Sequence, residues 1–184
     1  GIPGGSTYGS DVAPVDLGSG AGYDPSNDGV VIGSYGGGLV RLIIRGTLTL
    51  GGNITSNGEN SAYYYAGGGS GGSVYITANN LTGSGLISAN GGAGNGHTAG
   101  GGGGGRIAVY YQASTFTGKT EAKGGVGFGN GEDGTVVFEA FSSNAPFTFF
   151  SLSDKSSTTS LLSEILSVQG VDLNNVSVTG DLKG

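Results

Sequence analysis

Apolar and polar residues alternate in four short segments of the chain, and each segment follows a glycine or a run of glycines. The first inward residues of these segments are Val40, Val74, Ile107 and Val136, which lie 34, 33 and 29 residues apart. A period of two in a segment rich in β-branched residues is typical of a half-buried β-strand. Recurrence at a nearly fixed distance indicates one structural unit stacked repeatedly on itself. The pattern therefore predicts a parallel stack of strands.

Three copies of the unit can be superimposed, at residues 36–58, 71–92 and 104–125, and a truncated fourth begins at Gly134. Stacking the copies creates a second inward column, formed by Leu42, Ile76, Val109 and Phe138. Apolar inward columns beside a mixed outward set are what a parallel stack requires. We predict an all-β fold: a short right-handed parallel β-helix, or β-solenoid, of about four coils.

Two further short strands are expected in each copy. The second strands would carry Leu48, Leu81 and Phe116, and the third Ile54, Ile87 and Thr120. The third strands are followed by Asn57-Gly58, Asn90-Gly91 and Lys123-Gly124. Because Asn and Gly tolerate positive φ, these pairs predict sharp corners.

The rest of each unit is a glycine-rich loop, at residues 58–72, 91–105 and 124–134. Such loops could be flexible segments without a fixed conformation. Alternatively they could be ordered and layered, since they recur in register and each returns directly into a predicted buried strand. Glycine allows neighbouring backbones to approach closely, so we favour layering.

The ends of the chain depart from the pattern. Residues 1–35 contain three prolines and little alternation, so we expect an irregular arm or cap. Residues 36–144 are expected to form the glycine-rich β-solenoid. Residues 145–184 have strand signals outside the repeat and are expected to be a cap or docking segment. We expect a chain beginning at Gly1 to be a processed product or part of a longer protein.

The amino-acid composition excludes several classes of structure and function. The chain has 184 residues, 43 of them glycine, without the Gly-X-Y period of collagen. Cysteine is absent, which excludes disulfides, thiol chemistry and most zinc sites. The net charge of −6 argues against a nucleic-acid partner, and no apolar run is long enough for a membrane span.

The string GGGSGGSVYITANNLTGSGLISANGGAG and the later GGGGGGRIAVYY, both within residues 67–111, resemble the glycine-rich repeat segments of large secreted or cell-surface proteins. Those proteins are mostly bacterial, and their repeats often stand beside adhesin-like modules. The resemblance covers about residues 36–140. It implies a β-solenoid with a stalk or surface role outside the cell, and it brings no catalytic residues.

Catalytic candidates are few. His97 is the only histidine and lies in a glycine-rich loop. The one loose group of charged side chains combines Glu121 with Lys119, Lys123 and Arg106, and the first two copies offer no acidic partner at matching places. We therefore expect a protein that is not an enzyme.

Residues 24–29 read DPSNDG, in which Asp24, Ser26 and Asp28 have the spacing of a calcium loop. Tyr35 stands at the twelfth position in place of a bidentate Glu, so an EF-hand is excluded. A short Ca²⁺ turn and a plain surface turn are both open, and the surface turn is favoured.

Other candidate positions concern sugars and partners. Sequons place possible N-glycosylation at Asn53, Asn80 and Asn175. Three adjacent tyrosines in a glycine loop, Tyr63, Tyr64 and Tyr65, cannot all be buried, and exposed aromatic rings commonly stack on glycans or partner proteins.

These observations favour an extracellular structural protein that forms a homopolymer through its exposed strand edges, as the subunit of a fibre, stalk or surface layer. The first alternative is a glycan-binding adhesin module. The second is an ice-binding protein, and Thr47, Thr49 and Thr55 argue against it because they are not reproduced at matching places in later copies.

Overall fold

The computed structural model describes residues 9–22 and 33–141, and it divides the chain into two units, residues 1–143 and 144–184. The described residues, all in the first unit, form seven strands and no helix, so no helix here could cross a membrane. The strands are β1 (Leu39–Leu50), β2 (Asn53–Thr55), β3 (Ser73–Gly83), β4 (Leu86–Ser88), β5 (Arg106–Ser114), β6 (Lys119–Glu121) and β7 (Thr135–Ala140).

Two parallel sheets are stacked as a β-solenoid of about three turns, which confirms the predicted all-β parallel β-helix. One sheet has the order β1-β3-β5-β7 and the other the order β2-β4-β6. Every pairing is parallel and joins strands of successive copies. Within the described residues the fourth copy contributes β7 alone.

The inward columns follow the predicted register. Val40 pairs with Val74, Val74 with Ile107, and Ile107 with Val136. Val74, Ile76, Ile107 and Val109 of the middle coils are 0 % exposed. The alternation with a period of two predicts the strand register correctly here, because one face of every strand is buried. A slip of one residue would turn all the apolar side chains of a strand outwards.

The predicted second strand is wrong. β1 and β3 each run on through that region as a single strand, and their pairing has a register shift between Ile44 and Thr47 of β1. Leu48 pairs with Leu81, but Leu81 pairs with Ser114 and not with Phe116. Phe116 lies beyond β5, where its ring stacks on that of Phe138 with the centroids 6.0 Å apart.

The argument from threonine rows is also partly wrong. Thr49 pairs with Thr82, and their hydroxyl oxygens are 3.1 Å apart. Thr47 faces Asn80, and Thr55 faces Ser88. One of the three threonines thus has a matching threonine in the next coil.

The corners after β2, β4 and β6 do not use positive φ, contrary to expectation. Their asparagines act through the side-chain oxygen instead. Asn57 Oδ1 accepts the backbone N–H of Asn90 at 2.7 Å, and Asn90 Oδ1 accepts that of Lys123 at 2.7 Å. Each corner is therefore held to the corner of the next coil by a side-chain hydrogen bond.

The glycine loops are ordered and layered, as favoured from the sequence. Each has an outgoing leg (residues 56–60, 89–94 or 122–126) and a return leg (residues 67–72, 100–105 or 129–134), and we call these six legs the glycine lattice. In each loop a backbone N–H of the return leg donates to a backbone carbonyl of the outgoing leg. These bonds run from Gly69 to Glu59, from Gly102 to Gly92 and from Gly131 to Gly125, at 2.9–3.0 Å.

Hydrogen bonds also join the lattice between coils. The N–H groups of Gly92 and Gly125 donate at 2.8 Å to carbonyls in the return leg of the preceding coil. The N–H of Gly71 donates at 2.9 Å to the carbonyl of Gly103 in the following coil. The middle return leg thereby bonds to legs on several sides, whereas a β-strand bonds to two neighbours at most. The loops are a second hydrogen-bonded core beside the sheets.

Only glycine fits the lattice interior. A Cβ on Gly92, Gly102 or Gly125 would lie closer than 3.0 Å to a carbonyl oxygen of a neighbouring leg, a separation that real Cβ atoms essentially never show. These residues have negative φ, so space and not backbone conformation is what requires glycine there.

Residues 9–22 pack along one side of the solenoid. Gly18 donates to the carbonyl of Gly37 at 2.7 Å and Ala21 to that of Ser34 at 2.9 Å, so this segment adds a leg to the lattice. Further along, the Tyr110 hydroxyl of β5 donates to the carbonyl of Val12 at 2.8 Å. The Ser73 hydroxyl of β3 also donates to the carbonyl of Asp16 at 2.6 Å, so this part of the predicted N-terminal arm is tied to the first three coils.

Candidate functional site

The tip of the first glycine loop presents three tyrosines to solvent. The side chains of Tyr63, Tyr64 and Tyr65 are 50 %, 50 % and 43 % exposed. The prediction that they cannot all be buried is confirmed, while their role in binding stays a prediction. The Tyr64 and Tyr65 rings meet edge to face, with centroids 4.4 Å apart and an interplanar angle of 76°.

The second loop brings His97 to the same place. His97 stands 33 residues after Tyr64, at the equivalent position of the next tip, and the two ring centroids are 6.3 Å apart with an interplanar angle of 82°. Backbone bonds join the tips, from Tyr65 N–H to Asn95 O at 2.7 Å and from Asn95 N–H to Ala66 O at 3.1 Å. From the sequence, His97 was considered only as a catalytic candidate in a glycine-rich loop, and this contact was not predicted.

Two of the three sequon asparagines are described. Asn53 lies on β2 and Asn80 on β3, and both are exposed. Asn80 Nδ2 lies 3.5 Å from Thr47 Oγ1. Glycosylation at these positions stays a prediction, and Asn175 lies outside the described residues.

The predicted calcium loop also lies outside the described residues, since Asp24, Ser26 and Asp28 fall between residues 22 and 33. Within residues 9–22 and 33–141, no group of three or more His, Cys, Asp or Glu side chains could hold a metal ion.

The loose charged group separates into two surface pairs. Lys119 forms an ion pair with Glu121, whose other carboxylate oxygen accepts Asn90 Nδ2 at 3.0 Å. The hydrogen bonds from Lys119 and then Asn90 lower the pKa of Glu121. Lys123 instead pairs with Asp133 at 2.6 Å. A carboxylate held ionised by donors suits an ion pair rather than a general acid.

Arg106 is not part of that group. It begins β5, where its Nη1 lies 3.4 Å from the Thr135 hydroxyl across the β5–β7 pair. The structure therefore brings together the aromatic rings of the tip and His97. Of the charged group it pairs Lys119 with Glu121 and places Arg106 elsewhere.

At both ends of the described solenoid the inward residues are less buried than in its middle. The apolar residues that pack against the core and are only partly buried are Val40, Leu42, Leu48 and Ile54 of the first copy, Tyr111 and Phe116 of the third, and Phe138 of the fourth. Leu39 and Val136 are each 40 % exposed. Among the described strands, β1 and β7 each have a neighbour on one side alone.

Comparisons with protein families, with curated proteins and with solved structures find no match for this chain.

Proposed function

We propose that the protein is a structural rather than a catalytic one: a rigid subunit of a fibre, stalk or surface layer outside the cell. In this proposal its terminal coils stack on those of neighbouring copies. The observation that carries it is the contrast in burial along the solenoid axis. Val74 and Ile107 in the middle of the inward column are 0 % exposed, whereas Val136 at its end is 40 % exposed. Another coil at each end would bury those residues.

The edge of β1 offers hydrogen-bonding groups for such stacking. Ser73 N–H donates to Gly38 O, so the carbonyl of Gly38 faces β3. In a parallel ladder the N–H and C=O of one residue point to the same side, and the side alternates along the strand. Arg41 and Ile43 therefore direct their backbone groups to the free edge. Unpaired edges of this kind template pairing with another chain.

The repeated register favours head-to-tail growth. Equivalent hydrogen bonds recur in each glycine loop, from return leg to outgoing leg and from coil to coil. A second copy placed on β1 in the same orientation could continue this pattern. Because the two ends of a parallel stack differ, the contact would be heterologous and would not close, which gives filaments.

The extracellular location is part of the proposal and rests on sequence. Without Cys or Met the chain offers few side chains to oxidants. The resemblance to repeat segments of secreted and cell-surface proteins points the same way.

Ile43→Pro is expected to stop assembly at one end while leaving the fold intact. Ile43 is 45 % exposed, and its N–H faces the free edge, so proline removes a donor that no described residue uses. Ile43→Thr keeps the N–H and the β-branched side chain, and it should assemble like the unchanged chain. Sedimentation velocity and negative-stain electron microscopy over a concentration series measure the assemblies.

Mixing the Ile43→Pro chain with the unchanged chain provides a second test. The Ile43→Pro chain keeps its β7 end, so adding it to unchanged protein should cap growing filaments and shorten them. Circular dichroism melts should show that both variants are folded. If the unchanged chain stays monomeric at its highest soluble concentration, the fibre proposal is wrong.

A further inference from the structure

Tyr65, in the middle of the exposed tip, has a strained backbone. Its φ is 69°, and it is the one non-glycine residue with positive φ among residues 9–22 and 33–141. A bulky L-residue is disfavoured in this left-handed region, because its Cβ lies too close to the following carbonyl oxygen. At its own tip the second loop has a glycine, Gly96, at positive φ (103°), where no such cost arises.

Strain of this kind persists where surrounding structure fixes it and is concentrated at functional sites. Here the N–H of Tyr65 is fixed by Asn95 O, and the carbonyl of Ala66 accepts the N–H of Asn95. The ring gains little burial in return, because 43 % of Tyr65 stays exposed. A glycine would satisfy the turn at lower cost, so fold stability does not account for the tyrosine.

The two loop tips carry no formal charge from acids or from Lys and Arg. Residues 60–105 contain no Asp, Glu, Lys or Arg, and His97 is the only ionisable group there besides tyrosines. Charge complementarity therefore favours an uncharged ligand over an acidic or basic one.

The size of the aromatic surface favours a small ligand. With about 200 Å² for each tyrosine, the exposed parts of the three rings offer roughly 300 Å². A stable protein interface needs about 800 Å² on each partner. The face of one or a few sugar rings matches the smaller area, and tyrosine combines an apolar ring with a hydroxyl for hydrogen bonding.

We propose that the paired loop tips, Tyr63 to Tyr65 with His97, bind a neutral carbohydrate through stacking of sugar rings on the tyrosines. This surface is distinct from the strand edges, so the proposal does not depend on filament formation. The edge-to-face pair of Tyr64 and Tyr65 holds two rings at a fixed angle, and the His97 imidazole beside Tyr64 supplies a polar group at the rim.

The experiment applies the unchanged chain and two variants to an array of neutral oligosaccharides that also carries sialylated and uronic acid members. Tyr65→Gly removes the ring and relieves the strained φ, so its melting temperature should be equal or higher while binding to neutral glycans falls at least about tenfold. Tyr35→Ala is the control, because Tyr35 is 67 % exposed and lies outside the tips. It should bind like the unchanged chain.

Three results would overturn the proposal. One is that no neutral glycan binds, or that only acidic members do. Another is that Tyr65→Gly retains binding, or that Tyr35→Ala loses it equally. The third is that Tyr65→Gly alters the assembly of copies and nothing else, which would make the tip a contact between chains.

Discussion

Gly102→Val is expected to lower the free energy of unfolding by about 3 kcal/mol or more, because it places a side chain inside the glycine lattice. Gly102 donates to Gly92 at 2.9 Å and accepts from Gly125 at 2.8 Å. Its Cβ would fall closer than 3.0 Å to the carbonyl oxygen of Gly69. The legs cannot separate without breaking bonds to several neighbours, so the side chain cannot be accommodated by a local shift.

Gly38→Val is the matched control. A Cβ on Gly38 meets nothing within 4 Å, and the residue is exposed just before β1. Valine there should change stability by about 0.5 kcal/mol or less. Urea denaturation of both variants measures the difference. Equal midpoints for Gly102→Val and the unchanged chain would show that the loops are not packed layers.

Ile107→Asp is expected to cost about 4 kcal/mol or more, since it buries an ionised carboxylate without a partner. Ile107 is 0 % exposed and lies between Val74 and Val136 in the inward column of the β3-β5-β7 sheet. The change also removes apolar contacts at the centre of the core. We expect a chain that is largely unfolded at room temperature.

Ile43→Asp separates this effect from the loss of an isoleucine in a strand. Ile43 lies on the outward face of β1 and is 45 % exposed, so its carboxylate would remain hydrated. The expected cost is about 1 kcal/mol or less. Thermal melts followed by circular dichroism compare the variants. A cost at Ile43 as large as that at Ile107 would contradict the assignment of inward and outward faces.

The inward columns could be predicted from the sequence because burial imposes a strict period of two. The paired residues Val40 and Val74, and Ile76 and Val109, follow from that period and the repeat length alone. The separate second strand was wrong because a register shift after Ile44 interrupts the alternation without ending the strand. A pattern of side chains does not reveal such a shift.

The hydrogen bonds that hold the corners and the glycine lattice could not be predicted from the residue types alone. Asn57 and Asn90 favour corners by accepting hydrogen bonds between coils, not by adopting positive φ. Glycine carries no side-chain signal, so the direction of each lattice hydrogen bond could not be predicted. The contact of Tyr64 with His97 became visible only once the register of the loops was known.

The measurement that tests the rigid layered scaffold most directly is amide hydrogen exchange, followed residue by residue with NMR. The N–H groups of Gly92, Gly102 and Gly125 each bond to a neighbouring leg, whereas Gly52 lies in an exposed turn and donates to no described backbone carbonyl. The lattice glycines should be protected as strongly as Ile76 and Val109 in the strands, while Gly52 exchanges quickly. Exchange of Gly92, Gly102 and Gly125 at the rate of Gly52 would contradict the scaffold.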